Sequence, residues 1–180
     1  MNTSSAVAAV MPDITPVWKQ VTPELQDELV GFWHHNKVVG QDAAGRAQQA
    51  VCIARDEHGA VCGVATAQVK VLPRLLQPMY YYRMFFASGL RGRRQFVPFF
   101  RHARQILQEY NAGLAKPESL GLLLELENIK IGKAYPHAYE ADFDATFIGY
   151  SPRGLQLRVS YFEGARLMPA MPLPRAVRTA

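Results

Sequence analysis

Cysteine is scarce: Cys52 and Cys62 are the two in 180 residues. Both fall in apolar, strand-like runs, so neither a disulfide framework nor a zinc site is implied, and a reducing, cytoplasmic setting is expected. No apolar run approaches the ~20 residues of a membrane-crossing helix. The opening MNTSSAVAAVMPDI lacks a basic start and a sustained apolar stretch, so no export signal is expected. His34, His35, His58, His102 and His137 show no metal-ligand spacing with a supporting carboxylate or thiolate, and no metal is expected. Also missing are the Gly-Lys-Ser/Thr end of a Walker loop, a Gly-x-Gly-x-x-Gly fingerprint and a Gly-x-Ser-x-Gly elbow. P-loop, Rossmann and α/β-hydrolase chemistry are thereby set aside.

What is present reads as one folded domain. At 180 residues the chain is long enough to bury a core and short for two domains. Residues 1–15 are expected to be a flexible leader, 16–167 the domain, and 168–180 a loose, basic tail. The net charge of +5 admits an acidic partner, whether a phosphorylated cofactor, a nucleic acid or a membrane surface.

Alternation at residues 17–21 predicts a short first strand. Thr22-Pro23-Glu24 then starts a helix, and Leu25, Leu29, Phe32 and Trp33 share one of its faces, ending near residues 39–40. A shorter helix fits residues 42–49. Two apolar runs flanking Asp56-Glu57-His58-Gly59 predict a hairpin, with Gly63 marking a bulge. Pro73 and Pro78 bracket a loop before an aromatic strand at 80–87. A helix follows from Val97 or Phe99 to about Tyr110, then a loop at 111–119. A strand at 121–127 places Leu122, Leu124 and Leu126 on one face, and Leu123, Glu125 and Glu127 on the other. Gly132 and Pro136 predict only a short or kinked helix within 129–140. A final hairpin joins 145–150 to 155–162 across Ser151-Pro152-Arg153-Gly154.

Between the aromatic strand and its helix lie Gly89, Arg91, Gly92, Arg93 and Arg94. A flexible, basic turn opening a helix gathers amide N–H groups and the positive dipole end on one anion. The same arginines with Arg101 and Arg104, beside Tyr80, Tyr81 and Tyr82, would also suit a nucleic-acid backbone with stacked bases. No recognised nucleic-acid module accompanies them, which ranks that partner second.

The order of elements, with AVCGVATA in the meander, LELEN closing the fifth strand and TFIGYSPRG in the last hairpin, resembles the GCN5-related N-acetyltransferase (GNAT) superfamily over residues 17–162. The resemblance implies an α/β (α+β) domain, a mixed, twisted, mostly antiparallel sheet of about seven strands flanked by helices. It also implies transfer from acetyl-CoA, or another acyl-CoA, to a small-molecule or peptide amine. The family's pyrophosphate turn, Arg/Gln-x-x-Gly-x-Gly/Ala, corresponds to Arg91-Gly92-Arg93-Arg94-Gln95-Phe96. Arg94 and Phe96 replace small residues there and Pro98 follows, which leaves arginine side chains to hold phosphate. Implied cofactor contacts are Phe86, Ala87, Arg91, Gly92, Arg93, Arg94, Gln95 and Asn128.

In the family the thioester lies where the fourth and fifth strands splay apart, so Glu125 or Glu127 is the implied base. An ordinary glutamate titrates near ~4.3, and burial would have to raise it. The competing reading is that both form ion pairs, for instance with Arg83. Tyr135 and Tyr139 stand where the family places a tyrosine that protonates the thiolate. A homodimer through the aromatic strands or the final hairpin, and a GNAT-like module that binds without catalysing, both stay open.

Overall fold

Residues 12–38, 42–90 and 95–171 are described by the computed structural model. In chain order they form β1 (Asp13–Pro16), α1 (Pro23–Asn36), α2 (Ala43–Ala47), β2 (Ala50–Arg55), β3 (Val61–Leu72) and β4 (Gln77–Phe86). After a 3-10 turn (Ser88–Leu90) come α3 (Phe96–Gly113), β5 (Gly121–Glu125), α4 (Ile129–Ala134), β6 (Tyr139–Glu140), β7 (Ala145–Tyr150) and β8 (Gln156–Tyr161). The strands make one sheet in the order β1-β2-β3-β4-β5-β8-β7-β6. Only β4 and β5 run parallel, and α3 makes the crossover that parallel neighbours require. None of the described helices is long and apolar enough to cross a membrane.

Three expectations move. The first strand lies at Asp13–Pro16, overlapping the end of the expected leader, and its pairing with β2 alone makes it an edge, where a proline is tolerated. The alternation at 17–21 reflects a turn with Lys19 at φ 61°, which buries Val17 and Trp18 in two different clusters. α3 starts at Phe96, because Pro98 sits in the first turn, where its missing N–H forfeits no helix bond; the first is Phe99 N–H to Gln95 O at 3.1 Å. The eighth strand, β6, is two residues long and too short to read from a pattern. Of the expected tail, Met168 and Met171 are tied by hydrogen bonds to Gln77 and Leu76; residues 172–180 lie outside the described residues.

The two faces of the sheet carry different cores. On one, Phe99, Phe100, Ala103 and Leu107 of α3 pack on Tyr80, Tyr82, Leu122 and Leu124. On the other, Leu29 and Trp33 of α1 and Ala43 and Ala47 of α2 pack on Ile53, Val61 and Val64. That second face holds another apolar cluster farther along, with Met79, Tyr81, Leu123 and Val159. Along β4, therefore, Met79 and Tyr81 belong to one cluster and Phe85 packs on the other, with Arg83 between them. Strand register puts Thr66, Gln68 and Lys70 of β3 on this same face, opposite Arg83, Tyr81 and Met79. A polar floor separates two hydrophobic patches.

Candidate functional site

β4 and β5 pair at Tyr80–Leu122, Tyr81–Leu123 and Tyr82–Leu124, and there the pairing stops although β4 continues to Phe86. On its other edge β5 stays paired with β8 throughout, from Gly121–Tyr161 to Glu125–Leu157, and Leu126 N–H still reaches Gln156 O. The two parallel strands thus open from Arg83 and Glu125 onward. Beside the opening, on the α3 face, the Phe86 ring packs on Phe99 with centroids 4.9 Å apart. Phe86 also explains Gly63, whose Cβ would lie 2.6 Å from that ring. Ala87 continues the ladder with its N–H to Cys62 O.

Phe96, one of the residues out of pattern, turns its ring into the core. It packs on Phe100, Tyr135 and Phe143 at centroid distances of 6.1, 5.7 and 5.2 Å. Gln95 is buried and stands at the N-cap without a side-chain capping bond. Arg91, Gly92, Arg93 and Arg94 lie outside the described residues. Tyr135 is brought beside the head of α3 by these ring contacts, and buried Arg158 donates to its carbonyl at 2.8 Å and to His137 O at 2.9 Å. Tyr139 lies elsewhere. It is on β6, three strands from β5, about 14 Å at the usual strand spacing, and its hydroxyl donates to Asp144 at 3.0 Å. Asn128 caps α4, accepting from Lys130 N–H at 2.9 Å.

Glu125 and Glu127 lie on the polar face, held by arginines. Arg153, from the β7–β8 turn, donates to Glu125 Oε2 at 2.7 Å and to Glu127 Oε1 at 2.9 Å; Arg83 reaches Glu127 at 3.2 Å. The Tyr81 hydroxyl donates to Glu125 Oε2 at 2.6 Å. Burial pushes the Glu125 carboxyl up, but bonds from Arg153, Ser151 and Tyr81 outweigh it and bring it to about 2. Glu127 is lowered in the same way: burial opposes, while Arg153 and Arg83 prevail. Ion pairing with Arg83, the competing reading from sequence, is realised for Glu127. Neither carboxyl is raised toward the range of an efficient base.

Around this pair stand residues that sequence reasoning did not assign to the site. Lys70 Nζ lies 4.2 Å over the Tyr81 ring and Arg83 5.5 Å from it. Arg46 of α2 stacks 5.1 Å over Trp33, and burial, then the charge of Arg83, lowers its guanidinium to about 10. Burial and Arg83 likewise lower Lys70. The alternation of Thr66, Gln68 and Lys70 was the available signal, since polar residues at every second position announce a polar face. Arg153 and Arg46 carry no such pattern.

Two hollows lie away from this opening. One, of about 360 Å³, is between α3 and residues 141–144; the other, of about 370 Å³, is between the end of α3 and residues 162–168. In the first, Arg101 donates to Asp142 O, and Arg104 to Ser160, Tyr161 O and Asp144, so these arginines are engaged with the protein itself. Tyr80, Tyr81 and Tyr82 are 0, 9 and 4% exposed, so they offer neither a base-stacking platform nor a dimer surface. Tyr150 and Tyr161 of the final hairpin are exposed.

No protein-family model and no curated protein matches this sequence. Solved structures match it in shape. An acetyltransferase of the GNAT family from Streptococcus pneumoniae is 11% identical with a TM-score of 0.57, over 83% of this chain and 98% of that one. NAA60 of Arabidopsis thaliana in complex with acetyl-CoA is 12% identical with a TM-score of 0.56, over 83% and 99%. A GNAT-family acetyltransferase from Staphylococcus aureus is 12% identical with a TM-score of 0.53, over 84% and 99%. The chain has the fold of the GNAT acetyltransferases.

Proposed function

We propose that the protein is an acyl-CoA-dependent N-acetyltransferase whose amine acceptor approaches where β4 and β5 part. The observation that carries this reading is the end of pairing at Tyr82–Leu124, next to the N-terminus of an 18-residue helix. A gap between parallel strands admits an extended chain, and a helix start offers unbonded amides and a positive dipole end to a pyrophosphate. Those features fit acetyl-CoA, which when bound supplies an acetyl thioester whose C–S bond breaks as a C–N bond to the amine forms.

The chain's own residues then have distinct tasks. Amides at the head of α3, including that of Gln95, and the side chains of Arg91, Arg93 and Arg94 would hold the pyrophosphate, with Gly92 permitting close approach. Pro98 contributes no amide, which shifts weight onto the arginines. Phe86, Ala87 and Asn128 would border the pantetheine path at the ends of the two strands. Tyr135, beside the head of α3, is the proposed proton donor to the departing thiolate; Tyr139 has no part, being three strands away. Glu125 and Glu127 face the acceptor as anions, so they attract an ammonium group and leave its proton to solvent.

Calorimetry with acetyl-CoA tests this function directly, and absence of binding at millimolar cofactor rejects it. Arg91→Ala and Arg93→Ala should each weaken binding roughly tenfold, the loss of one charge-assisted contact. Unchanged affinity would put the pyrophosphate elsewhere.

A further inference from the structure

The polar cluster at the opening is unbalanced. Arg46, Lys70, Arg83 and Arg153 share it with two carboxylates, Glu125 and Glu127, and Arg83 and Arg153 take both of these. Arg46 and Lys70 make no ion pair among the described residues. The Nε atoms of Arg46 and Arg83 are buried without a hydrogen-bond partner. A buried guanidinium N–H is normally bonded, so two of them in one cluster mark a place where an acceptor oxygen belongs. The surplus cations, Arg46 and Lys70, sit on α2 and β3, with Arg83 on β4 between them and the carboxylates, which sit on and just past the end of β5. A ligand across the opening therefore meets positive charge on one side and negative charge on the other.

We propose that this cluster is the acceptor subsite and that its ligand is an amine bearing a carboxylate, the carboxylate held by Arg46, Lys70 and Arg83 and the ammonium turned toward Glu125 and Glu127. The proposal rests on the acyltransferase reading for its catalytic meaning. A zwitterion satisfies both halves of the cluster, whereas a polyamine brings further positive charge to a site that already has a surplus. Planar guanidinium groups suit a carboxylate, whose two oxygens can take paired N–H bonds.

The test is thiol release from acetyl-CoA with free α-amino acids, the same amino acids as C-terminal amides, and putrescine, together with thermal shift by each compound without acetyl-CoA. Acetylation of free amino acids at kcat/KM roughly tenfold or more above their amides supports the proposal, since the amide lacks one charge-assisted contact. Lys70→Gln, an exposed position that should fold normally, is expected to raise the acceptor KM roughly tenfold and leave acetyl-CoA affinity unchanged. Arg46→Lys is expected to weaken the same ligands. Equal use of amides or putrescine overturns the proposal while leaving the acyltransferase function intact, as does acetyl-CoA binding with no turnover of any compound tested. Failure of acetyl-CoA to bind rejects the acyltransferase function instead. In that case a thermal shift by free amino acids that is lost in Lys70→Gln still supports a carboxylate subsite, and no shift overturns it.

Discussion

The Tyr81 hydroxyl donates to Glu125 Oε2 at 2.6 Å, joining β4 to β5 across the place where the two strands stop pairing. Burial, and then this bond, push the Tyr81 phenol up to about 12, so it remains a donor at any ordinary pH. Tyr81→Phe removes the donor and keeps the ring beneath Lys70 and Arg83. The expected cost is about 1–2 kcal/mol in urea unfolding, with a rise in the Glu125 carboxyl seen by NMR titration. No change in either measurement would mean that Arg153 alone holds the carboxylate.

Arg153 is the larger influence on the same group. The Glu125 carboxyl is depressed from 4.5 to about 2 in the folded protein. A depressed carboxyl contributes stability that is fully present above its unfolded value and is lost as pH falls through that value toward the folded one. Wild-type Tm should therefore fall steeply between about pH 4.5 and pH 2, and Arg153→Ala should lower Tm at neutral pH and flatten that acid limb. Parallel curves for the two proteins would remove Arg153 as the cause.

Arg158 is buried on β8 and ties the carbonyls of Tyr135 and His137. Arg158→Met leaves both carbonyls without that donor, and should cost about 3 kcal/mol in denaturant unfolding. A loss under ~0.5 kcal/mol, the scatter typical of surface changes, would show that the segment after α4 is held by its aromatic packing instead.

The two candidate tyrosines separate cleanly. Tyr135→Phe should lower kcat roughly a hundredfold, as expected for loss of a proton donor, with little change in acetyl-CoA affinity. Tyr139→Phe removes an exposed bond to Asp144 and should leave kcat near wild type. The reverse pattern would exclude Tyr135 as the donor.

Much of the fold was readable because it is local. Thr22 and Pro23 start α1 as expected, with the Thr22 hydroxyl accepting from Leu25 N–H at 3.3 Å. The last hairpin turns at Ser151–Gly154, where Gly154 takes φ 73° and donates to Ser151 O at 2.8 Å. Alternation along residues 121–125 correctly divided Leu122 and Leu124 from Leu123 and Glu125. Failures came where local pattern and long-range packing disagree. The alternating residues 17–21 form a turn that feeds two cores, and Phe96 proved to be a packing residue on Tyr135 and Phe143, 39 and 47 positions later in the chain.

The sequence by itself determined the periods, caps and turns, and through them the order of strands and helices that carries this fold. It also put Glu125 on the face of Leu123, since a strand alternates whatever surrounds it; the expected strand to 127 ends at Glu125, and Glu127 is held beside it by Arg153 and Arg83. Only the tertiary structure decided what those carboxylates meet. Tyr81 lies 44 residues away and Arg153 lies 28 residues away, and no repeat or spacing links them to Glu125 before the chain folds. Charge in a folded protein is governed by neighbours in space, so the depressed carboxyls, the surplus of cations and the opening beside them exist only once β4, β5 and the final hairpin are assembled.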